Sequence, residues 1–166
     1  MEVYDVLWMS GILFGFIAIA PPGFHYLRAK SYKDTITFPE GHPSPPPLTV
    51  ILPVKDESIV IRKKLGEILG MDYPKSSLRL LVIDSGSIDS TGEIARQYLI
   101  EKAGEVVWSV ESLERPGKSA AVNSALNLID TDFFAMMDAD AILQPNALRQ
   151  LVRWFQDPGI GGVCGM

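Results

Sequence analysis

Residues 48–70 have the sequence LTVILPVKDESIVIRKKLGEILG, which predicts a buried β-strand followed directly by a helix. The run LTVIL (48–52) is continuously apolar, as is typical of a strand covered on both faces. Apolar residues then recur at helical spacing, at Ile61, Leu65, Ile68 and Leu69, and Gly70 marks the end of the helix. A strand and a helix in immediate succession favour an α/β fold.

The same succession recurs along the rest of the chain. Three further apolar runs predict strands: LRLLVI (78–83), VVWSV (106–110) and FFAMM (133–137). A helical pattern follows each run: around Ile94, Ala95, Tyr98 and Leu99, from near Gly117, and from Pro145, with Leu148, Leu151, Val152 and Phe155 on one face. This alternation predicts a mainly parallel sheet with right-handed crossovers and helices on both faces.

The composition narrows the classes of function. The chain has 166 residues, enough for one domain, and a formal net charge of −5. It has no stripe of Lys and Arg interleaved with aromatic residues, which argues against binding of nucleic acid. Its single cysteine, Cys164, excludes an internal disulfide framework and a cysteine-rich zinc site, and fits a reducing compartment.

The first 27 residues predict a single-pass membrane anchor. Val6–Ala20 reads VLWMSGILFGFIAIA and carries no charge. Because this run is shorter than the roughly 20 residues of a spanning helix, a cleaved signal peptide and a buried core helix stay open as alternatives. Acidic residues precede the run and basic residues follow it, at Arg28, Lys30 and Lys33. The positive-inside rule therefore predicts a cytoplasmic location for the rest of the chain.

Residues 28–47 predict a linker that is first basic and then proline-rich. Five prolines lie between positions 39 and 47, which favours a stiff, extended spacer. Residues 48–166 then form the predicted α/β domain.

Carboxylates follow three of the four predicted strands, at the edge where parallel α/β sheets bind ligands. Capping of the following helices accounts for Ser58 and Asp89. It accounts less well for Asp138 and Asp140, which end an apolar strand two residues apart, so that both should project to one side. Two such carboxylates repel each other unless a cation lies between them. Oxygen ligands of this kind predict Mg²⁺ or Mn²⁺, with Asp138 and Asp140 as its protein ligands.

Lys118 lies at the start of the third predicted helix, immediately after Gly117. The free N–H groups at a helix N-terminus attract phosphate, and a lysine adds a positive charge. An ordinary solvated lysine is the alternative interpretation of this residue considered alone.

Four motifs together resemble those of family 2 glycosyltransferases, which have the Rossmann-like GT-A fold. They appear in the family's order over residues 48–166: Pro53-Val54-Lys55-Asp56-Glu57 for P-x-x-[ND]-E, Asp84 to Thr91 for D-x-G-S-x-D-x-T, Gly117-Lys118 with Asn123 for G-K-x-x-A-x-N, and Asp138-Ala139-Asp140 for D-x-D. Each motif alone is modest, whereas the ordered set is specific.

The resemblance implies a donor site for a nucleotide-diphosphate sugar, with UDP-sugar as the expected donor. The implied nucleotide-sugar ligands are Pro53, Val54, Glu57, Asp84, Lys118 and Asp138, with Glu57 near the ribose and Asp84 on the base. Asp138 and Asp140 would hold the metal. The implied reaction inverts the anomeric centre and uses a carboxylate base to deprotonate a saccharide or lipid acceptor.

The resemblance also implies an acceptor-side half that these 166 residues do not contain. The catalytic base is therefore expected beyond Met166, and the GT-A domain is expected to be incomplete. A non-catalytic nucleotide-sugar-binding fragment stays open as an alternative. Gly117-Lys118-Ser119 also resembles part of a P-loop, but Ser112 replaces the first glycine of that motif and Pro116 removes an N–H.

Overall fold

The computed structural model describes residues 44–113 and 117–165. They contain four strands, β1 (Leu48–Val54), β2 (Leu78–Asp84), β3 (Val107–Ser112) and β4 (Phe133–Met136). All pair in parallel, in the order β3-β2-β1-β4. The predicted parallel α/β fold is confirmed.

Helices connect these strands where the apolar spacing predicts them. They are α1 (Ile61–Leu69), α2 (Thr91–Lys102), α3 (Lys118–Leu126) and α4 (Ala147–Val152), with short 3-10 helices at Lys75–Ser77 and Arg153–Gln156. The helix predicted from Pro145 thus begins two residues later and changes to a 3-10 helix at Arg153. Pro145 instead accepts a backbone hydrogen bond from Asp72, 2.8 Å long, which ties the start of α4 to the turn after α1.

The sheet has a hydrophobic core on each face, and the two cores differ in size. On one face, β1 and β2 pack against the apolar sides of α1 and α2, including Leu65 and Leu99. On the other face, Ile51, Leu81 and Ile83 pack against Ala121 and Ala125 of α3. Helices on both faces are therefore confirmed for the central strands.

Strand β4 is covered less completely than its apolar sequence predicts. Its residues alternate between half-buried and exposed, and Phe134 and Met136 are each 51% exposed. Met136 pairs with Ile51 of β1, so both side chains lie on the face that α3 covers. Within the described residues, α3 shields the Ile51 side of this face and leaves the β4 side open to solvent.

The predicted membrane anchor, residues 1–27, and most of the predicted linker, 28–47, lie outside the described residues. Across 44–113 and 117–165, no helix has the length and apolar character that a membrane span requires.

Candidate functional site

The chain changes direction across the sheet between β1 and β4. From β1 it adds β2 and then β3 on one side, and β4 returns to the other side of β1. In α/β sheets such a reversal leaves a crevice beyond the carboxyl ends of the two strands, and ligands bind there. Here that crevice is a cavity of about 580 Å³, within the usual range for small-molecule sites.

All four sequence motifs contribute to the lining of this cavity, two of them with several residues and two with one residue each. The lining residues are Pro53, Val54, Lys55, Glu57, Ser85, Gly117, Asp138, Ala139 and Asp140. The structure thus brings together the predicted ligands Pro53, Val54, Glu57, Asp138 and Asp140. Lys118 is the first residue of α3 and directly follows Gly117 of the lining.

Asp84 does not line the cavity, although the motif places it on the base. It is only 7% exposed, and its Oδ1 accepts a 2.9 Å hydrogen bond from the backbone N–H of Ser87. Its other oxygen lies against the first turn of α2, where a Cβ on Gly92 would approach it to 2.5 Å. Asp84 therefore holds its own loop against α2, and a glycine is required at position 92 for this close approach.

Ser85 reaches the cavity in place of Asp84. Its side chain is 4% exposed, and its Oγ accepts a 2.7 Å hydrogen bond from the backbone N–H of Gly117. This bond joins the end of β2 to the start of α3. The hydroxyl proton of Ser85 can still be donated to a ligand, since a serine hydroxyl both donates and accepts.

Four hydrogen bonds join the loop after β1 to the loop after β2. The N–H of Asp56 donates to Ser87 Oγ at 2.9 Å, and Asp56 Oδ1 accepts from the N–H of Ile88 at 2.9 Å. The N–H of Glu57 donates to Thr91 Oγ1 at 2.8 Å. The N–H of Ser58 donates to Asp89 Oδ2 at 2.9 Å. These bonds fix the backbone of Glu57 at the cavity.

The predicted capping role of Ser58 is wrong, whereas Asp89 does bond the start of a helix. Helix α1 begins at Ile61, after Val60, and has no side-chain cap, so Ser58 caps no helix and gives its N–H to Asp89 instead. Asp89 Oδ1 accepts bonds from the N–H, at 3.1 Å, and from the hydroxyl of Thr91, the first residue of α2. It therefore serves the helix start and the neighbouring loop together.

These bonds stabilise the charged form of Asp89. The hydrogen bond from the Thr91 hydroxyl lowers the pKa of Asp89 most. Desolvation is the next largest effect and raises the pKa, and the bond from Ser58 lowers it again. Together they lower the pKa of Asp89 from 3.8 to about 2.

The D-x-D residues lie on a turn, not at the end of a strand as predicted. Strand β4 ends at Met136, and the turn is closed by a 3.2 Å bond from the N–H of Ala141 to the carbonyl of Asp138. Both Asp138 and Asp140 are exposed. Water therefore screens their repulsion, and the argument that burial forces a cation between them fails.

The donor chemistry of the pair still suits a hard divalent cation. Asp138 and Asp140 offer carboxylate oxygens to one cavity, and Mg²⁺ is usually held by one or two carboxylates, with waters and phosphate oxygens as its other ligands. Within 44–113 and 117–165, no group of three or more His, Cys, Asp or Glu residues could hold a metal ion. A metal at this turn would depend on a bound diphosphate for part of its shell.

Two polar lining residues, Lys55 and Ser85, are not among the ligands that the sequence predicts. Both occupy variable positions inside motifs: Lys55 lies between Val54 and Asp56, and Ser85 follows Asp84. Lys55 brings an exposed cation to the cavity that also receives the two aspartates. Position within a motif was the available signal for each of them.

Comparisons with known proteins agree with this arrangement. The family model for "Glycosyl transferase family 2" matches residues 49–166. A beta-monoglucosyldiacylglycerol synthase of Nostoc sp. is 27% identical over 98% of this chain and 34% of its own length. Glycosyltransferase AglE of Haloferax volcanii is 32% identical over 72% of this chain and 39% of its own. The chain thus spans about a third of the length of these relatives.

Solved structures show the same likeness. The mannosyltransferase PcManGT of Pyrobaculum calidifontis, in complex with GDP-Man and Mn²⁺, superposes with a TM-score of 0.77 at 32% identity, over 90% of this chain and 44% of its own. TarS of S. aureus in complex with UDP-GlcNAc gives a TM-score of 0.52 at 27% identity, over 61% of this chain and 28% of its own.

The sheet is therefore that of a GT-A-like fold. The family match extends over most of the chain, and its motifs meet at a single sheet edge. This chain belongs to glycosyl transferase family 2.

Proposed function

We propose that this chain is the donor-binding part of a glycosyltransferase that takes a sugar from a nucleotide-diphosphate donor, with a divalent metal and with inversion at the anomeric carbon. The observation that carries the proposal is one cavity at the switch point of the sheet, lined by motif residues that lie far apart in sequence. Family 2 membership supports this reading and disfavours the P-loop alternative.

In this proposal the chain's residues divide the donor between them. Pro53, Val54 and Glu57 hold the nucleoside, with the backbone of Glu57 fixed by Thr91. The N-terminus of α3, with Lys118, faces the diphosphate and stabilises its negative charge. Asp138 and Asp140 hold Mn²⁺ or Mg²⁺. When bound, the metal would neutralise charge that develops on the leaving diphosphate.

The base of the donor is uracil in our proposal, so that the nucleotide is UDP, with GDP as the alternative to test. The structural relatives include one protein with GDP-Man and Mn²⁺ and one with UDP-GlcNAc, so the fold accommodates either base. Asp84 was expected on the base, but its carboxylate contacts Ser87. Ser85 is the residue of this loop that lines the cavity, and we assign its hydroxyl the contact with the base.

In our proposal the residues that line the cavity serve the donor side of the reaction. We expect the base that deprotonates a saccharide or lipid acceptor beyond Met166. If the whole protein lacks such a base, the alternative is a non-catalytic module that binds nucleotide sugars. Function depends on the complete site and not on the fold alone.

The same proposal includes a membrane tether. Residues 1–27 would anchor the chain, 28–47 would space the domain from the bilayer, and the domain would face the cytoplasm, as Arg28, Lys30 and Lys33 indicate. Protease added outside intact cells should then leave residues 48–166 uncut, whereas permeabilised cells should allow cleavage. Cleavage of the domain in intact cells would reverse the topology.

Calorimetry with UDP and GDP, each with Mn²⁺ or with EDTA, tests the donor site. We expect nucleotide and Mn²⁺ to strengthen each other's binding. Asp140→Asn should abolish this mutual effect while leaving the free energy of unfolding nearly unchanged, because Asp140 is exposed. Asp132→Asn removes an exposed carboxylate before β4 and serves as the matched control. Nucleotide affinity that is the same with EDTA and in Asp140→Asn would contradict the proposal.

A further inference from the structure

The proposed function assigns no role to Lys64, a residue of α1 whose burial is unusual. Lys64 is only 2% exposed, on the helix face that also carries the buried Ile61, Leu65 and Ile68. Among the side chains that the structure describes, it is the only buried Lys or Arg. An ammonium group removed from water destabilises the fold unless it gains a close polar partner.

That partner is the backbone of the D-x-D turn. The Lys64 ammonium donates a hydrogen bond to the carbonyl oxygen of Ala141, the residue immediately after Asp140. Glu67, one turn further along α1, has its carboxylate 3.9 Å from the Lys64 nitrogen, too far for a direct hydrogen bond. Of these two groups, the carbonyl of Ala141 therefore makes the closer polar contact with the buried charge.

The position of Ala141 makes this contact relevant to the aspartates. On one side of the turn, the N–H of Met137 donates a 3.0 Å bond to Ile51 and so ties the end of β4 to β1. On the other side, the next backbone hydrogen bond to another part of the fold is at Pro145, through Asp72, and Leu143 packs against the core before it. Residues 141–144 have no regular secondary structure. Lys64 thus supplies the anchor that follows the aspartates most closely.

We propose that Lys64 is a positioning residue that holds the Asp138–Ala141 turn in the geometry required for divalent-metal binding. Held at Met137 and at Ala141, the turn presents both carboxylates to the cavity with little freedom to rearrange. Groups that orient metal ligands without touching the metal change metal affinity by about 10- to 100-fold. This inference rests on the proposed function, since it concerns how the donor site binds its metal.

Lys64→Met tests the proposal, because methionine keeps an apolar stem of similar length and leaves no unpaired buried charge. In the full chain, we expect Mn²⁺-dependent affinity for UDP or GDP to fall on the order of ten-fold. Affinity for the same nucleotide in EDTA should stay within about two-fold. The melting temperature should change only slightly, because loss of the hydrogen bond to the Ala141 carbonyl is offset by removal of a buried charge.

Lys63→Met is the matched control. Lys63 neighbours Lys64 on α1, carries the same charge and lies 3.8 Å from the same Glu67 carboxylate, but its side chain is 79% exposed. This variant removes the same charge and a similar ion pair. It should leave Mn²⁺-dependent nucleotide affinity unchanged. An equal loss of affinity in Lys63→Met would show that charge alone is responsible and would overturn the proposal.

Hydrogen–deuterium exchange without nucleotide gives a readout that does not need the donor. Peptides covering residues 138–143 should exchange faster in Lys64→Met than in the unmodified chain, with peptides of β1 and β2 unchanged. If Lys64→Met does not fold, Lys64→Gln, which keeps a shorter N–H donor, is measured in the same way. Unchanged exchange at 138–143 together with unchanged Mn²⁺-dependent affinity overturns the proposal. Absence of any Mn²⁺ effect in the unmodified chain would instead contradict the proposed function, and the exchange result would still decide the role of Lys64.

Discussion

Asp84 and Ser85 are neighbours with opposite roles at the end of β2. The motif implies that Asp84 contacts the base. A motif of this kind shows which residues lie at the sheet edge. It does not show which of two adjacent side chains turns into the cavity. That choice depends on the loop after the strand, where the Ser87 N–H captures Asp84 and Gly92 makes room for its carboxylate. Ser85 then points the other way, toward Gly117.

This difference predicts separate effects for the two substitutions. Asp84→Ala leaves the Ser87 N–H without its acceptor, so the free energy of unfolding should fall by about 1–3 kcal/mol. We expect the unmodified chain to bind UDP more tightly than ADP, and Asp84→Ala should keep this preference. Ser85→Ala also leaves a backbone N–H, that of Gly117, without its acceptor, but it should in addition weaken UDP binding by about two- to ten-fold, the worth of one hydrogen bond. Denaturant unfolding and calorimetry on both variants measure these effects.

A different result would restore the role that the motif implies for Asp84. If Asp84→Ala kept its stability but bound UDP and ADP equally, its carboxylate would contact the base in the complex. The loop would then have to rearrange on donor binding.

At the level of elements, apolar periodicity predicted each strand and helix of the domain, but not where each one ends. Strand β1 continues two residues beyond its apolar run because Pro53 and Val54 pair with Ile83 and Asp84 of β2. Strand β4 stops at Met136, before the aspartates. Periodicity describes burial, whereas the end of a strand is set by its pairing partner. The D-x-D residues were therefore predicted on a buried strand end and lie on an exposed turn.

The loops after β1 and β2 are joined by hydrogen bonds into one unit. Because Asp89 makes some of these bonds, the stability of this unit should depend on pH. The pKa of Asp89 is about 2 in the folded chain and 3.8 in the unfolded reference. Since the folded pKa is the lower one, ionised Asp89 stabilises the fold above about pH 4. This contribution is lost as the pH falls toward about 2.

Asp89→Asn should remove this dependence. Chemical unfolding at several pH values between about 5 and 2 should show a smaller loss of stability in Asp89→Asn than in the unmodified chain. Glu105→Gln, which removes an exposed carboxylate elsewhere, is the charge control. An identical pH profile for Asp89→Asn and the unmodified chain would show that the bonds from Thr91 and Ser58 do not discriminate between the charge states of Asp89.

For the whole molecule, the order β3-β2-β1-β4 could not be read from the sequence. Four alternating strands and helices are compatible with several parallel orders, because periodicity is a local property and strand neighbours are not. The order decides which loops share a crevice. With β4 beside β1, the turn at Asp138–Asp140 comes next to Pro53–Glu57, 80 or so residues away in sequence. The resemblance to family 2 predicts this proximity, because it implies that the motifs form one donor site.

On their own, the 166 residues should bind the donor and transfer no sugar. Transfer needs a base within about 2.6–3.2 Å of the acceptor hydroxyl in a reactive pose. The carboxylates that line the cavity are Glu57, Asp138 and Asp140, and each has a donor-side role in our proposal. A carboxylate that holds a metal is a poor base, because the cation stabilises its ionised form.

A radiolabelled UDP-sugar assay with mixed saccharide and lipid acceptors and Mn²⁺ measures this directly. Product should not exceed the control without protein, although calorimetry on the same preparation should detect nucleotide. Metal-dependent transfer by residues 1–166 alone would mean that one of the donor-side carboxylates is the base. Glu57 would then be the first to test, since it lines the same cavity as the D-x-D turn and has no proposed metal contact. Glu57→Gln would separate the two roles, because a base substitution lowers kcat, whereas loss of a ribose contact chiefly raises KM for the donor.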